Sequence, residues 1–196
     1  MTQVFSKEGE RFPVTEIMAG PCPVAFEKTS DKDGYQALGL TLGGKNKKGQ
    51  YKFLREIRLE SNEEKFPVGE TIIVDQVFRP GDLVEITGTS KGFGFTGVVK
   101  RHHFKGGPRT HGQSDRERAP GAVGSATTPG RIFKGKRMAG KEGRKRITVK
   151  NLLVISIDKP NNKILVKGAV PGKAKGFLII KKTGEQKNFQ KEIILN

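Results

Sequence analysis

Apolar and polar residues along the chain alternate in short runs instead of recurring at helical spacing. Such runs fall at residues 14–18, 71–78, 83–87, 147–157, 163–167 and 177–181. A period of two places apolar side chains on one face of a pleated backbone, so each run predicts a β-strand. Pro80-Gly81-Asp82 and Pro160-Asn161-Asn162 punctuate the series as turns. The connections are too short for crossover helices, which predicts an all-β body closed as a small antiparallel β-barrel. Residues 28–60 are less regular and predict a small irregular insertion, with a short helix near 51–58.

The alternation fails between residues 88 and 146. Those 59 residues hold 13 glycines and no leucine. Their larger apolar groups, Phe93, Phe95, Phe104, Ile132, Phe133 and Met138, follow neither a period of two nor one of 3.6. So little apolar surface cannot form a core, and a stretch this long without elements is functional or disordered, its order here to be supplied by a partner. The chain therefore divides into a discontinuous body, 1–87 with 147–196, and a long extended internal arm, 88–146. Fully extended, half of the arm spans at most about 100 Å at roughly 3.3 to 3.6 Å per residue, and a folded-back path about half that.

Charge shows what partner the arm awaits. The chain has 37 Lys and Arg against 20 Asp and Glu, a formal charge of +17, and a pI near 10.1. Residues 1–87 carry −2, residues 88–146 carry +12 and residues 147–196 carry +7. A field so concentrated selects a polyanion. Within the arm Lys and Arg suit phosphates, planar Arg, His and Phe suit stacking on bases, and Gly lets the backbone approach nucleotides closely. The candidate RNA contacts are Lys91, Phe93, Lys100, Arg101, His103, Phe104, Lys105, Arg109, His111, Arg116, Arg118, Arg131, Lys134, Lys136, Arg137, Lys141, Arg144, Lys145 and Arg146. If about 8 of the arm's cations meet phosphates, log K falls with log salt at a slope of roughly −6 to −7.

Other classes of function fit less well. No apolar run is long enough to span a bilayer, and no lysine-flanked amphipathic helix suits a membrane surface. A single cysteine, Cys22, excludes a disulfide framework or thiolate cluster; between Pro21 and Pro23 it reads as a small buried residue in a turn. Gly92-Phe93-Gly94-Phe95-Thr96-Gly97 has the spacing of a dinucleotide loop, but no helix is expected after it and no acidic ribose partner follows near 20 residues on. Gly130-Arg131-Ile132-Phe133-Lys134-Gly135-Lys136 approaches a phosphate-binding loop, yet Arg137 stands where a magnesium ligand is required. Lys91 to Phe95 imitates an RNA-recognition strand without the accompanying fold. His102, His103 and His111 lack metal-ligand spacing and carboxylates placed to orient their rings. Asp115 and Glu117 are flanked by Arg116 and Arg118, which are placed to neutralise them. These features predict no enzyme, no catalytic residues, no cofactor, no metal, no small-molecule substrate and no membrane partner.

The order of motifs resembles the universal third protein of the large ribosomal subunit, in its bacterial form. The body contributes Met1-Thr2-Gln3-Val4-Phe5, Pro13-Val14-Thr15, Ala19-Gly20-Pro21-Cys22, Asp33-Gly34-Tyr35, Leu54-Arg55-Glu56-Ile57-Arg58 and Lys167-Gly168-Ala169-Val170-Pro171-Gly172. The arm contributes Gly88-Thr89-Ser90-Lys91-Gly92, Lys100-Arg101, Phe104, Gly106-Gly107-Pro108, His111-Gly112, Arg118, Pro120-Gly121, Pro129-Gly130, Phe133-Lys134-Gly135 and Met138-Ala139-Gly140. The resemblance implies a translation-factor-like barrel at the subunit surface and an arm directed toward the peptidyl transferase centre. It also implies early binding to 23S-type ribosomal RNA that nucleates assembly, contact with neighbouring ribosomal proteins, and a cytoplasmic ribosome as location, with an organellar ribosome as the alternative. Two residues depart from the family pattern: Phe93 stands where Lys is usual, and Glu117 where His is usual. An RNA-modifying enzyme and a free architectural nucleic-acid binder are the competing readings; the first lacks an acid, base or nucleophile pair, and the second would not sediment with ribosomes.

Overall fold

The computed structural model describes residues 1–45, 48–59, 66–186 and 193–194. It divides into two compact units, Met1–Gly88 with Ile147–Asn196, and Thr89–Arg146. In chain order the elements are β1 (Thr2–Ser6), β2 (Arg11–Met18), β3 (Cys22–Lys28), α1 (Ser30–Asp33), β4 (Ala37–Lys45), β5 (Tyr51–Arg58), β6 (Thr71–Ile72), α2 (Val74–Val77) and β7 (Asp82–Thr89). They continue with β8 (Gly92–Thr96), α3 (Val98–His102), β9 (Gly140–Gly143), β10 (Arg146–Asp158), β11 (Lys163–Lys167), β12 (Leu178–Glu185) and β13 (Ile193–Ile194). The protein is mainly β, as the alternation predicts.

The first unit is built on a seven-stranded sheet in the order β12-β7-β10-β11-β2-β1-β13. Its central strands are apolar on both faces. Val154, Ile164, Val166 and Ile17 pack with Val84, Ile86, Val74 and Phe78 in one cluster. Their immediate neighbours Leu153, Ile155 and Leu165 turn the other way, to Val4, Phe12 and Val14 in a second cluster. This is why the sequence from 152 to 155 is a continuous apolar run: a strand covered on both sides has no solvent face to keep polar. Each fully buried Val or Ile contributes about 1.5 to 3 kcal/mol relative to exposure.

A polar tie fastens one edge of that sheet. Asp82 is buried at the start of β7. Its carboxylate accepts the Arg79 backbone N–H at 2.8 Å and pairs with Lys182 Nζ on β12 at 3.0 Å. Hydrogen bonds to Glu185 and then Asp82 raise the Lys182 pKa above its ordinary value. A buried carboxylate is tolerable here because it is both paired and hydrogen-bonded.

The second sheet of this unit has the order β5-β4-β3-β6. Phe26 on β3 lies opposite Gly39 on β4, and any Cβ on Gly39 would run into the Phe26 ring. A largely apolar cleft of about 600 Å³ is lined by residues of both sheets, among them Ile17, Leu40, Phe53, Val77, Phe78 and Leu178.

Four expectations need correction. Among the described residues the seven-stranded sheet is not closed as a barrel: its order ends on β12 at one edge and on β13, paired with β1, at the other. Residues 51–58 are strand β5, not a helix, because they pair with β4 from Ala37↔Arg58 to Lys45↔Tyr51. An isolated eight-residue helix would have only local hydrogen bonds to offer against that ladder. The run at 71–78 breaks after Ile72 into α2, where Gln76 Oε1 accepts the Ile73 N–H at 3.0 Å, half of a capping box. Cys22 begins β3 instead of lying in the turn before it and is only half-buried; burial raises its thiol pKa.

Candidate nucleic-acid interface

The second unit, Thr89–Arg146, has almost no interior. Among the described residues only Thr96 and Val98 are buried there. Its order comes from backbone pairing: β8 and β9 form an antiparallel ladder from Gly92↔Gly143 to Thr96↔Gly140. Ser90 N–H donates to the Lys145 carbonyl at 2.9 Å, and Ser90 Oγ accepts the Lys145 N–H at 3.1 Å. The two ends of the segment are thus zipped together by main-chain groups and the Ser90 hydroxyl.

After this ladder comes α3, against the expectation that no helix follows the glycine motif. Five residues are too few to display a helical period in sequence. Gly92 and Gly94 lie within β8, not in a strand-to-helix turn, so the motif does not make the dinucleotide geometry. His103, at φ 59°, ends the helix in the left-handed region.

α3 positions two of its side chains inward along the segment. Arg101 Nη1 donates to the Met138 carbonyl at 2.9 Å, and His102 Nε2 lies 3.0 Å from the same oxygen. Arg101 also occupies the space a Cβ at Gly140 would need. Arg101 is half-buried and spends part of its guanidinium on holding the returning strand. Phe104, also half-buried, tilts against His102 with ring centroids 6.1 Å apart.

Beyond α3 the chain closes a loop on itself. Gly107 N–H donates to the Glu117 carbonyl at 2.9 Å, and Arg109 Nε pairs with Glu117 Oε1 at 2.9 Å. Glu117 is therefore neutralised from eight residues upstream, where the sequence pointed to the flanking Arg116 and Arg118. Gly106, at φ +74°, faces the Glu117 carbonyl so closely that a Cβ would overlap it. His111 and Gly112, with φ of 60° and 78°, form the turn at the loop's far end.

The remaining candidates are presented outward. Lys91, Lys100, His103, Lys105, Arg116, Arg118, Arg131, Lys134, Lys136, Arg137, Lys141, Arg144, Lys145 and Arg146 are all exposed. Phe93, Phe95 and Phe133 are 57%, 79% and 63% exposed, and Lys100 Nζ sits 5.0 Å over the Phe93 ring. Phe95 is exposed and His102 half-buried close to these candidates in the chain, and both are among the Phe and His rings of the segment that suit stacking.

These features define a β protein carrying a polycationic segment that is ordered by its backbone and open at its side chains. A family model described as ribosomal protein L3 matches residues 56–164, which include the whole of that segment. Relatives called large ribosomal subunit protein uL3 agree over nearly the full length. That of Herpetosiphon aurantiacus is 47% identical, covering 94% of this chain and 93% of the relative. One from Dehalococcoides mccartyi is 47% identical over 94% and 95%, and one from Syntrophotalea carbinolica 46% identical over 93% and 93%. The chain belongs to the ribosomal protein L3 family, so the resemblance read from its motif order holds. The family is one of structural, non-enzymatic proteins of the large ribosomal subunit.

Proposed function

We propose that this chain binds 23S-type RNA of the large ribosomal subunit directly through residues 89–146 and helps nucleate assembly of that subunit. In this reading the segment extends toward the peptidyl transferase centre, and the β body, in the role of a translation-factor-like module, stays nearer the surface among neighbouring proteins of a cytoplasmic ribosome. The chain performs no chemistry. It lowers phosphate repulsion between RNA helices and fills the space between them.

One observation carries this reading. Of fifteen cations in the segment, only Arg109 and Arg116 form ion pairs among the described residues, with Glu117 and Asp115. So much uncompensated positive charge on a unit with two buried side chains is a standing repulsion that a polyphosphate would relieve.

The fold offers a direct test. β7 and β10, which lead into and out of the segment, are neighbours in the sheet, and the Thr87 and Thr148 hydroxyls lie 2.8 Å apart. Residues 90–145 can therefore be replaced by a short glycine turn without stretching the body. The shortened chain is expected to be absent from large subunits isolated by sedimentation; normal incorporation would overturn the proposal.

A further inference from the structure

The charge of −2 over residues 1–87 conceals an internal contrast. Residues 37–58 hold six cations and one acid, a charge of +5, while the rest of that stretch is strongly acidic. Those residues are the β4–β5 hairpin, and β5 is the edge strand of its sheet. Lys45, Lys52, Arg55 and Arg58 are exposed along it.

The hairpin's one acid is already engaged. Glu56 Oε1 pairs with Lys28 Nζ at 3.0 Å, and Glu56 Oε2 accepts the Tyr35 hydroxyl at 2.9 Å. Lys45, Lys52, Arg55 and Arg58 form no ion pair with any described residue. Each instead lies over an aromatic ring: Lys45 Nζ is 5.0 Å from the Tyr51 centroid and Lys52 Nζ 5.8 Å from Phe53. Arg55 Cζ is 5.2 Å from Phe177 and Arg58 Cζ 4.9 Å from Tyr35. Phe53 and Phe177 in turn stack at 4.9 Å.

We infer that the β4–β5 hairpin is a second RNA-backbone-binding surface, separate from residues 89–146. Lysines on an edge strand also guard against strand-to-strand aggregation, but one or two at the strand centre suffice for that. Here the cations continue through the strand and loop and alternate with rings, and interleaved cations and aromatics suit phosphates together with unpaired bases. An acidic protein surface would use the charges alone, whereas Tyr51, exposed beside Lys45, also suits an unpaired base.

This inference rests on the RNA reading above, and its test separates the two. The full-length chain is compared with K45Q/K52Q/R55Q, with K45R/K52R, and with the segment variant R131Q/K134Q/K136Q/R137Q. Each is titrated with a large-subunit RNA transcript across a salt series and footprinted. The glutamine hairpin variant is expected to flatten the slope of log K against log salt by roughly 2 to 3, at about 0.7 to 0.9 per lost phosphate contact. It should lose protection at nucleotides different from those lost in the segment variant, while K45R/K52R keeps both slope and footprint. An unchanged slope and footprint in K45Q/K52Q/R55Q overturns the hairpin site. So does aggregation with unaltered RNA binding, which would mean edge protection only, or normal RNA binding with loss of a neighbouring protein, which would mean an acidic partner. Failure of the unaltered chain to bind the transcript would instead sink the RNA reading itself.

Discussion

The two units of this chain solve the problem of order in opposite ways. The body hides its apolar residues in two clusters on either face of one sheet, with Val14, Val84, Ile86, Val154, Ile164 and Val166 completely buried. Residues 89–146 bury two side chains and rely on a glycine-rich ladder, a one-turn helix and a few charged clamps. Side-chain burial gives the body a stability that scales with the volume it encloses. Main-chain pairing gives the second unit a shape while leaving most of its cations exposed.

That contrast can be broken first at the core. Ile86→Ala in the body is expected to cost about 2 to 5 kcal/mol, through lost burial and a cavity, read as a lower urea midpoint with unchanged slope. Should it cost no more than a surface change, the body would not be the rigid half of the molecule. Asp82→Ala comes next, at about 2 to 3 kcal/mol, because it leaves the Arg79 amide and Lys182 without their shared acceptor.

In the second unit, Gly106→Ala tests whether backbone geometry sets the loop. A left-handed φ and the overlap with the Glu117 carbonyl are expected to cost about 1 to 3 kcal/mol locally. Faster amide exchange at Gly107, whose N–H bonds that carbonyl, would report it, with the melting of the body unchanged. Removing exposed charge should do less still to the fold. Each of Arg131→Gln, Lys134→Gln and Lys136→Gln is expected to alter stability by less than about 0.5 kcal/mol, measured by thermal unfolding.

The smallest effect concerns pH. Hydrogen bonds from Lys28 and then Tyr35 hold the Glu56 carboxyl below its ordinary range. A group whose pKa is lowered on folding stabilises above its unfolded pKa and loses that contribution as pH falls through the folded value. Glu56→Gln should therefore slightly flatten the acid limb of the stability profile and leave the alkaline side as it was. An identical acid limb in the two proteins would show the exposed pair to be energetically silent.

Sequence reasoning reached as far as local pattern reaches. The strand expected at 163–167 is β11 as observed, and those at 83–87 and 147–157 are β7 and β10 with one or two residues added at each end. The concentration of cations between 88 and 146 was equally plain, since charge needs only counting. The basic hairpin was legible too, but its charge vanished when averaged with acidic neighbours. Missed for a physical reason were α2 and α3, whose four and five residues are shorter than a periodicity can reveal.

The sequence alone thus determined a mainly β body, five of its strands (β2, β7, β10, β11 and β12), the family, and the segment where positive charge accumulates, because alternation, motif order and composition are properties of the chain itself. Tertiary structure alone decided that the long sheet stays open, that β5 is a strand held by β4, and that the core is double-faced. It also decided which cations are occupied: Arg101 and His102 close on one carbonyl 36 or 37 residues away, and Arg109 reaches Glu117. Strand partners and ion pairs are chosen between residues far apart in the chain, and no local period records that choice.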